Sequence, residues 1–239
     1  MKSYLEINSD LGEGIDNDAE IMPLIDACNI ACGGHAGNDK TIRATIQLAQ
    51  KYEKKIGMHP SFPDILNFGR KRLNLPFETL RQALLLQVHL FNYIANQEGA
   101  KVNHLKLHGA LYNMAAEEED IAEDVIHILK ESKFEGEIYA PPNSALAAKA
   151  NEDFLVIHEV FIDRNYNDDL TLVSRSQGNA ILEDPKAVWD QYKGLRDEQY
   201  IRTISGKTIP LAGKTACIHG DTQFAFQQLS FIRKKIEQE

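Results

Sequence analysis

The sequence has no apolar run long enough to cross a bilayer. Its longer runs, such as Ala83–Leu86, fall far short of the roughly 20 residues that a spanning helix needs. Residues 1–10 lack the apolar core of a signal peptide, so no export is expected. Cysteine is scarce: Cys28, Cys32 and Cys217 are odd in number and unevenly placed. That suits a reducing cytoplasm better than a disulfide framework. No second cysteine pair completes a zinc site with Cys28 and Cys32. Positive charge is in deficit, with 26 Lys+Arg against 35 Asp+Glu and a formal charge of −9. This argues against general nucleic-acid binding, because phosphate neutralisation needs clustered Lys and Arg.

Several catalytic signatures are also missing. There is no G-x-S-x-G nucleophile elbow. Gly206-Lys207-Thr208 and Gly213-Lys214-Thr215 resemble the end of a phosphate loop, but that loop needs a Gly five positions before the second Gly. Ile201 and Thr208 stand there instead. No ATP site of this type is expected. The chain also has no low-complexity tract, short-period repeat or Ser/Gly/Pro-rich linker.

What is present is ordinary globular material. Hydrophobic residues make up 43% and charged residues 26% of 239 residues, enough for a sizeable core. Length and patterning fit one domain, 1–239, of α/β-barrel size. The spacing predicts strands over Tyr4–Ser9, Asn29–Cys32, Ile56–His59, Val102–His108, Glu137–Ala140, Phe154–Val160, Tyr200–Ser205 and Thr215–His219. Helices are expected over Asp18–Ala27, Asp39–Lys54, Glu78–Glu98, Ile121–Glu131, Ser144–Ala150, Pro185–Tyr192 and Thr222–Ile236. Strand–helix alternation implies a parallel sheet, open or closed.

The strands carry unusual polarity. Strands of a parallel sheet covered on both faces normally read as continuous apolar runs. Here Glu6, Asn8 and Asp10 share one strand face, and His104, Lys106 and His108 share another. Asp10, His59, His108 and His219 stand at predicted strand ends, and His158 lies near one. In a β/α barrel the active site forms at that end. An open sheet with one solvated face would show the same alternation. On the His104–His108 face, neighbouring positive charge is expected to lower the Lys106 pKa and to favour neutral imidazoles. Such a face suits an anionic substrate or an oxyanion.

Other segments add candidates. Asp10-Leu11-Gly12-Glu13-Gly14 sets two carboxylates beside two glycines, where they could ligate a metal or exchange protons. Asn29–Gly37 ends a strand in a Gly-rich loop that holds His35 and could cradle an anion. His59–Asp64 leads to Arg70, which could grip a carboxylate or phosphate. Asn113 could add a hydrogen bond. The loops at Asp163–Tyr166 and Arg175–Gln177 could close over a substrate.

These segments in this order resemble the LamB/YcsF family, which supplies the first of the three components of bacterial 5-oxoprolinase. The resemblance rests on Asn8–Gly14, Asn29–Gly37, His59–Asp64, Asn67–Arg70, His104–Asn113 and Cys217–Asp221, and spans nearly the whole chain. It implies an irregular seven-stranded β/α barrel, TIM-like and of the glycoside hydrolase/deacetylase type. It implies ATP-dependent opening of 5-oxo-L-proline (pyroglutamate) to L-glutamate, with partner subunits B and C. ATP would be consumed by the complex to activate the lactam carbonyl. Asp10, Glu13 or a neighbouring His is then the expected base, and Lys106 with His108 meets developing negative charge or phosphate. His35, His59, Arg70, Asn113, Arg175 and His219 complete the expected pocket. Two other readings stand beside this one. The first is a stand-alone metal-dependent amidohydrolase or deacetylase with a divalent metal on Asp10, His59 and His108. The second is a non-catalytic scaffold within the complex.

Overall fold

The computed structural model describes residues 4–239. Met1–Ser3, part of the segment searched for a signal peptide, lie outside them. In chain order the strands are β1 (Glu6–Leu11), β2 (Ala27–Ala31), β3 (Lys55–His59), β4 (Val102–Lys106), β5 (Glu137–Ala140) and β6 (Val156–Phe161). They are followed by β7 (Tyr200–Arg202), β8 (Thr208–Pro210) and β9 (Thr215–Cys217). The helices are α1 (Asp18–Ile21), α2 (Asp39–Lys51), α3 (Phe77–Gln97), α4 (Gly109–Glu117), α5 (Glu119–Glu131), α6 (Ala145–Ala150), α7 (Pro185–Lys193) and α8 (Ala225–Glu237).

Seven strands close into an all-parallel barrel in the order β1-β2-β3-β4-β5-β6-β9. Strand β9 closes it by pairing with both β6 and β1. The run read as a strand at Tyr200–Ser205 is not a barrel stave. It forms an antiparallel hairpin, β7 with β8, outside the barrel. Gly206-Lys207-Thr208 lies in that hairpin turn, and Gly213-Lys214-Thr215 leads into β9. Neither opens a helix.

Several boundaries differ from the sequence reading for local reasons. The expected helix Asp18–Ala27 stops at Ile21, where a 3₁₀ turn over Met22–Leu24 takes Pro23 into its opening turn. Ala27 is already in β2. Helix α2 ends at Lys51, because Glu53 adopts a left-handed φ of 54°. Its start is capped by Asn38, whose side chain accepts from the Lys40 and Thr41 amides. Strand β4 stops at Lys106, and His108 becomes the extended residue before α4, a helix the spacing did not reveal.

The outside of the barrel is apolar and packs under the helices, with Leu5, Ile7, Ile30, Met58, Leu105 and Ile138 among the buried residues. The inside is polar. Asn8 donates to Thr215 Oγ1 at 2.8 Å, and Asn29 donates to Asn8 and Asp10, each at 2.8 Å. His104 Nε2 meets Asn29 Oδ1 at 2.7 Å, so Nε2 carries the proton. The ring lies flat on Tyr139 with centroids 4.0 Å apart. Gly57 sits between these partners in register, facing Asn29 on one side and His104 on the other. A Cβ on Gly57 would overlap the His104 ring. Glycine there lets one imidazole reach across a whole strand.

The packing yields a direct stability test. Gly57→Ala should cost about 1–3 kcal/mol, since the clamped His104 ring has no free direction of retreat. Urea unfolding would read it, and an unchanged midpoint would contradict the assignment of Gly57 to the barrel interior.

Candidate active site

The C-terminal strand ends open into one cavity of about 650 Å³. Its floor is made by Asp10 of β1, Lys106 of β4 and Glu159 of β6. All three are essentially buried, Lys106 at 2% exposure and Glu159 at 1%. The Lys106 ammonium donates to Asp10 Oδ1 at 2.9 Å and to Cys217 Sγ at 3.0 Å. It also pairs with Glu159 Oε1 at 3.1 Å. The other Glu159 oxygen accepts from the Tyr112 hydroxyl at 2.7 Å.

This arrangement reverses the expected direction of the Lys106 pKa. Burial alone would lower it, but Asp10, Cys217 and Glu159 outweigh burial and hold it well above its usual value. The sequence placed two histidines beside Lys106; it could not show two carboxylates arriving from other strands. The imidazoles do shift toward the neutral form, with burial as the larger cause. Burial pushes His104 down to about 3 and His35 down to about 2. Burial, with His35 and His59 beside it, holds His108 well below its ordinary value. Asp10 moves the opposite way from a simple buried acid. Burial would raise it, yet His59 and Lys106 hold it well below the carboxylate range. Glu13 is raised, by burial first and then by the nearby Asp10 and Asp221 charges.

The other expected residues fall into two layers. His59, Arg70, His108, Asn113, Arg175 and His219 line the cavity. His35 and Glu13 stand behind it. His35 stacks on His108 with centroids 3.6 Å apart, meets Ser61 Oγ at 2.9 Å and meets Glu13 Oε1 at 3.0 Å. Asn113 is exposed at the rim. Arg70 and Arg175 converge on Asp221, Arg70 in direct contact and Arg175 at 3.6 Å. His158 points away: it is exposed on the far side of β6, and its neighbour Glu159 is the inward residue.

Asp163 escaped selection by sequence, although its loop was singled out. It is 1% exposed and accepts from the His219 backbone N–H and ring Nδ1, each at 2.9 Å. Burial would raise its pKa, but His219 outweighs that and holds it below the ordinary value. His219 Nε2 has no protein hydrogen-bond partner among the described residues. An imidazole with a carboxylate on Nδ1 and a free Nε2 at a cavity wall can take a proton from water. Arg164 was also missed as a single residue. It is buried at the same wall and donates to the carbonyls of Ala180 and Val173.

A closed parallel barrel with acid, base and guanidinium groups gathered at its strand ends is a TIM-like β/α barrel of the kind that houses catalytic sites there. The chain belongs to the LamB/YcsF family, whose profile matches residues 5–239. The 5-oxoprolinase A component from Pyrococcus horikoshii is 38% identical over 241 residues, covering 98% of this chain and 94% of that protein. The corresponding component from Bacillus cereus is 33% identical over 240 residues, covering 98% of this chain and 95% of that protein. The crystal structure of a lactam utilization protein from Thermus thermophilus superposes with a TM-score of 0.90 at 27% identity, covering 100% of this chain and 97% of that one. No helix of the described residues is long and apolar enough to cross a membrane. A buried His/Glu group near the mouth has donors close enough to hold a metal ion.

Removing the floor cation should expose its role. Lys106→Met leaves Asp10 and Glu159 buried without their shared partner, a loss of about 3–5 kcal/mol at pH 7. Unpaired buried carboxylates have raised folded-state pKa values, so they destabilise above those values and are relieved as they protonate. The deficit against wild type should therefore shrink between pH 7 and pH 5 in chemical denaturation. A deficit below about 1 kcal/mol, or one that grows on acidification, would contradict the buried triad.

Proposed function

We propose that this chain is the hydrolytic component of an ATP-dependent 5-oxoprolinase that opens 5-oxo-L-proline to L-glutamate with partner subunits B and C. The observation that carries this reading is the His219–Asp163 pair on the wall of an arginine-rimmed cavity. It occurs in a chain that matches relatives named as the A component of 5-oxoprolinase over 94–95% of their length.

A five-membered lactam is a stable amide, and phosphorylation of its carbonyl oxygen by ATP would make the ring carbon open to water. Neither Gly-Lys-Thr triplet supports ATP binding through a phosphate loop, which agrees with nucleotide use elsewhere in the complex. In this reading Arg175 and Arg70 hold the substrate's anionic groups at the rim, exchanging Asp221 for carboxylate or phosphate. His219 removes a proton from the attacking water through Nε2, and Asp163 fixes its tautomer and steadies the imidazolium. The ring C–N bond then breaks and the proton returns to the nitrogen, which leaves an acyl phosphate whose hydrolysis by a second water releases inorganic phosphate and L-glutamate.

This changes the roles first given to several residues. Asp10 accepts from Lys106 and Asn29, which engages it in the floor rather than as the base. Glu13 does not reach the cavity. Lys106 donates to Asp10 and Cys217 and is ion-paired with Glu159. It supplies a fixed positive field under the reacting carbon rather than a free hydrogen bond. His108 gives its Nε2–H to the Phe68 carbonyl at 3.0 Å and forms part of the wall.

Glutamate release from 5-oxoproline should require this chain, both partners and ATP together. His219→Ala should lower kcat by about 10²–10⁴ with the complex still assembled. Arg175→Ala should mainly raise KM. Full turnover in the His219 variant would remove the assigned base. Turnover by the chain alone without ATP, abolished by chelator, would instead favour the stand-alone metal-dependent amidohydrolase. Pocket variants that lose assembly rather than turnover would favour the scaffold reading.

A further inference from the structure

His59 and His108 face each other with Nε2 and Nδ1 2.9 Å apart. Their other ring nitrogens are both committed. His59 Nδ1 lies 2.8 Å from the Lys106 carbonyl, and His108 Nε2 lies 3.0 Å from the Phe68 carbonyl. A carbonyl only accepts, so each of these nitrogens must carry the proton. In the neutral rings the two facing nitrogens are then both lone pairs, aimed at the same point. Lone pairs at that distance repel unless something positive lies between them.

Two carboxylates lie beside these rings. Asp10 Oδ2 is 3.3 Å from His59 Nε2, and Glu13 Oε1 is 3.5 Å from His108 Nδ1. Three electron-donating atoms, on two strand ends and one loop, therefore converge, with Asp10 beside His59 only. We propose that His59 Nε2, His108 Nδ1 and Glu13 Oε1 form a binding site for a divalent transition-metal cation of the zinc type.

The chemistry of the surroundings supports a cation over an accidental cluster. Metal-bound imidazoles characteristically donate their far N–H to a backbone carbonyl or carboxylate, and both rings do so here. Nitrogen and oxygen donors on a zinc-type ion stand about 3.3 Å apart in tetrahedral geometry, from bond lengths of about 2.0–2.1 Å. The separations of 2.9 and 3.5 Å bracket that value. His35 braces the site from behind: it stacks on His108 and contacts Glu13. Its plane lies within 5° of parallel to His108, so both lone pairs cannot point at one ion, and His35 is a positioning residue here. The neighbouring trio Asp10, Cys217 and His219 is also compact. It is a poor metal site, because the Lys106 ammonium already sits on Asp10 Oδ1 and Cys217 Sγ. The inference is independent of the hydrolytic reading, since it concerns neither substrate nor partner subunits.

The test is metal binding by the whole chain, read without any enzyme assay. Protein stripped with chelator and then freed of it is dialysed against Zn²⁺, and in parallel titrated with Co²⁺ while the visible spectrum is followed. The expected result is one ion per chain, a Co²⁺ spectrum of nitrogen and oxygen ligation, and a Tm that rises with Zn²⁺. His59→Asn and His108→Asn should weaken binding by more than about 100-fold, and His219→Asn should bind as wild type does. Wild-type protein that retains no stoichiometric ion overturns the proposal and leaves a shared proton between the two rings. So does undiminished binding in folded His59→Asn and His108→Asn proteins, or a sulfur-ligated Co²⁺ spectrum pointing to Cys217. The wild-type measurements stand even where a variant fails to fold.

Discussion

A single buried ammonium organises the interior of this barrel. Taking a lysine head group out of water costs several kcal/mol, and only well-placed opposite charge offsets that. Asp10 from β1 and Glu159 from β6 supply it, and Cys217 of β9 accepts a third contact. These strands meet at the seam where β9 closes the sheet against β1 and β6. The charge cluster therefore ties barrel closure to site construction: a shift of β9 would separate the groups that form the cavity floor. Below it, the Asn8–Asn29–His104–Thr215 chain pairs the inward amides and leaves only the far nitrogen of His104 without a partner.

Above that floor the residues divide by what they can still do. Lys106, Asp10 and Glu159 are committed to one another and supply field and shape. His219 keeps one ring nitrogen unengaged beside the cavity and has a carboxylate on the other. Arg70 and Arg175 converge on one carboxylate, Asp221, which an incoming anion can replace. The His59–His108 pair is the unusual element. Its far nitrogens are locked by carbonyls, and its near nitrogens are left facing each other. The geometry thus sets the His219–Asp163 pair and the His59–His108 pair as separate groups at the strand ends.

Much of this was legible in the sequence, and the limits have physical causes. Polar residues alternating through Glu6, Asn8 and Asp10 and through His104, Lys106 and His108 announced an unusual interior, because a covered parallel strand has no other reason to carry them. The strand-end histidines His59, His108 and His219 were visible by position alone. Glu159 was not, because His158 and Glu159 adjoin in β6 and alternation cannot say which of two titratable residues faces inward. Asp163 was hidden in a polar loop where a carboxylate is unremarkable until a histidine arrives from another strand. The Lys106 pKa ran against expectation for the same reason: its partners come from strands distant in sequence. Helix α4 was missed because it begins at a glycine, Gly109, directly after a strand-like run. The β7–β8 hairpin read as a barrel strand because short alternating segments look alike inside and outside a barrel.

The account depends on Lys106 remaining a cation inside the barrel. The most direct measurement is an NMR titration of the Lys106 side chain, with ¹⁵Nζ and ¹³Cε resonances assigned by comparison with Lys106→Arg protein. The account predicts an ammonium that exchanges slowly and stays protonated to at least the upper limit of the folded range, above the ordinary lysine value of about 10.4. A neutral amine, or a transition below that value, would contradict it.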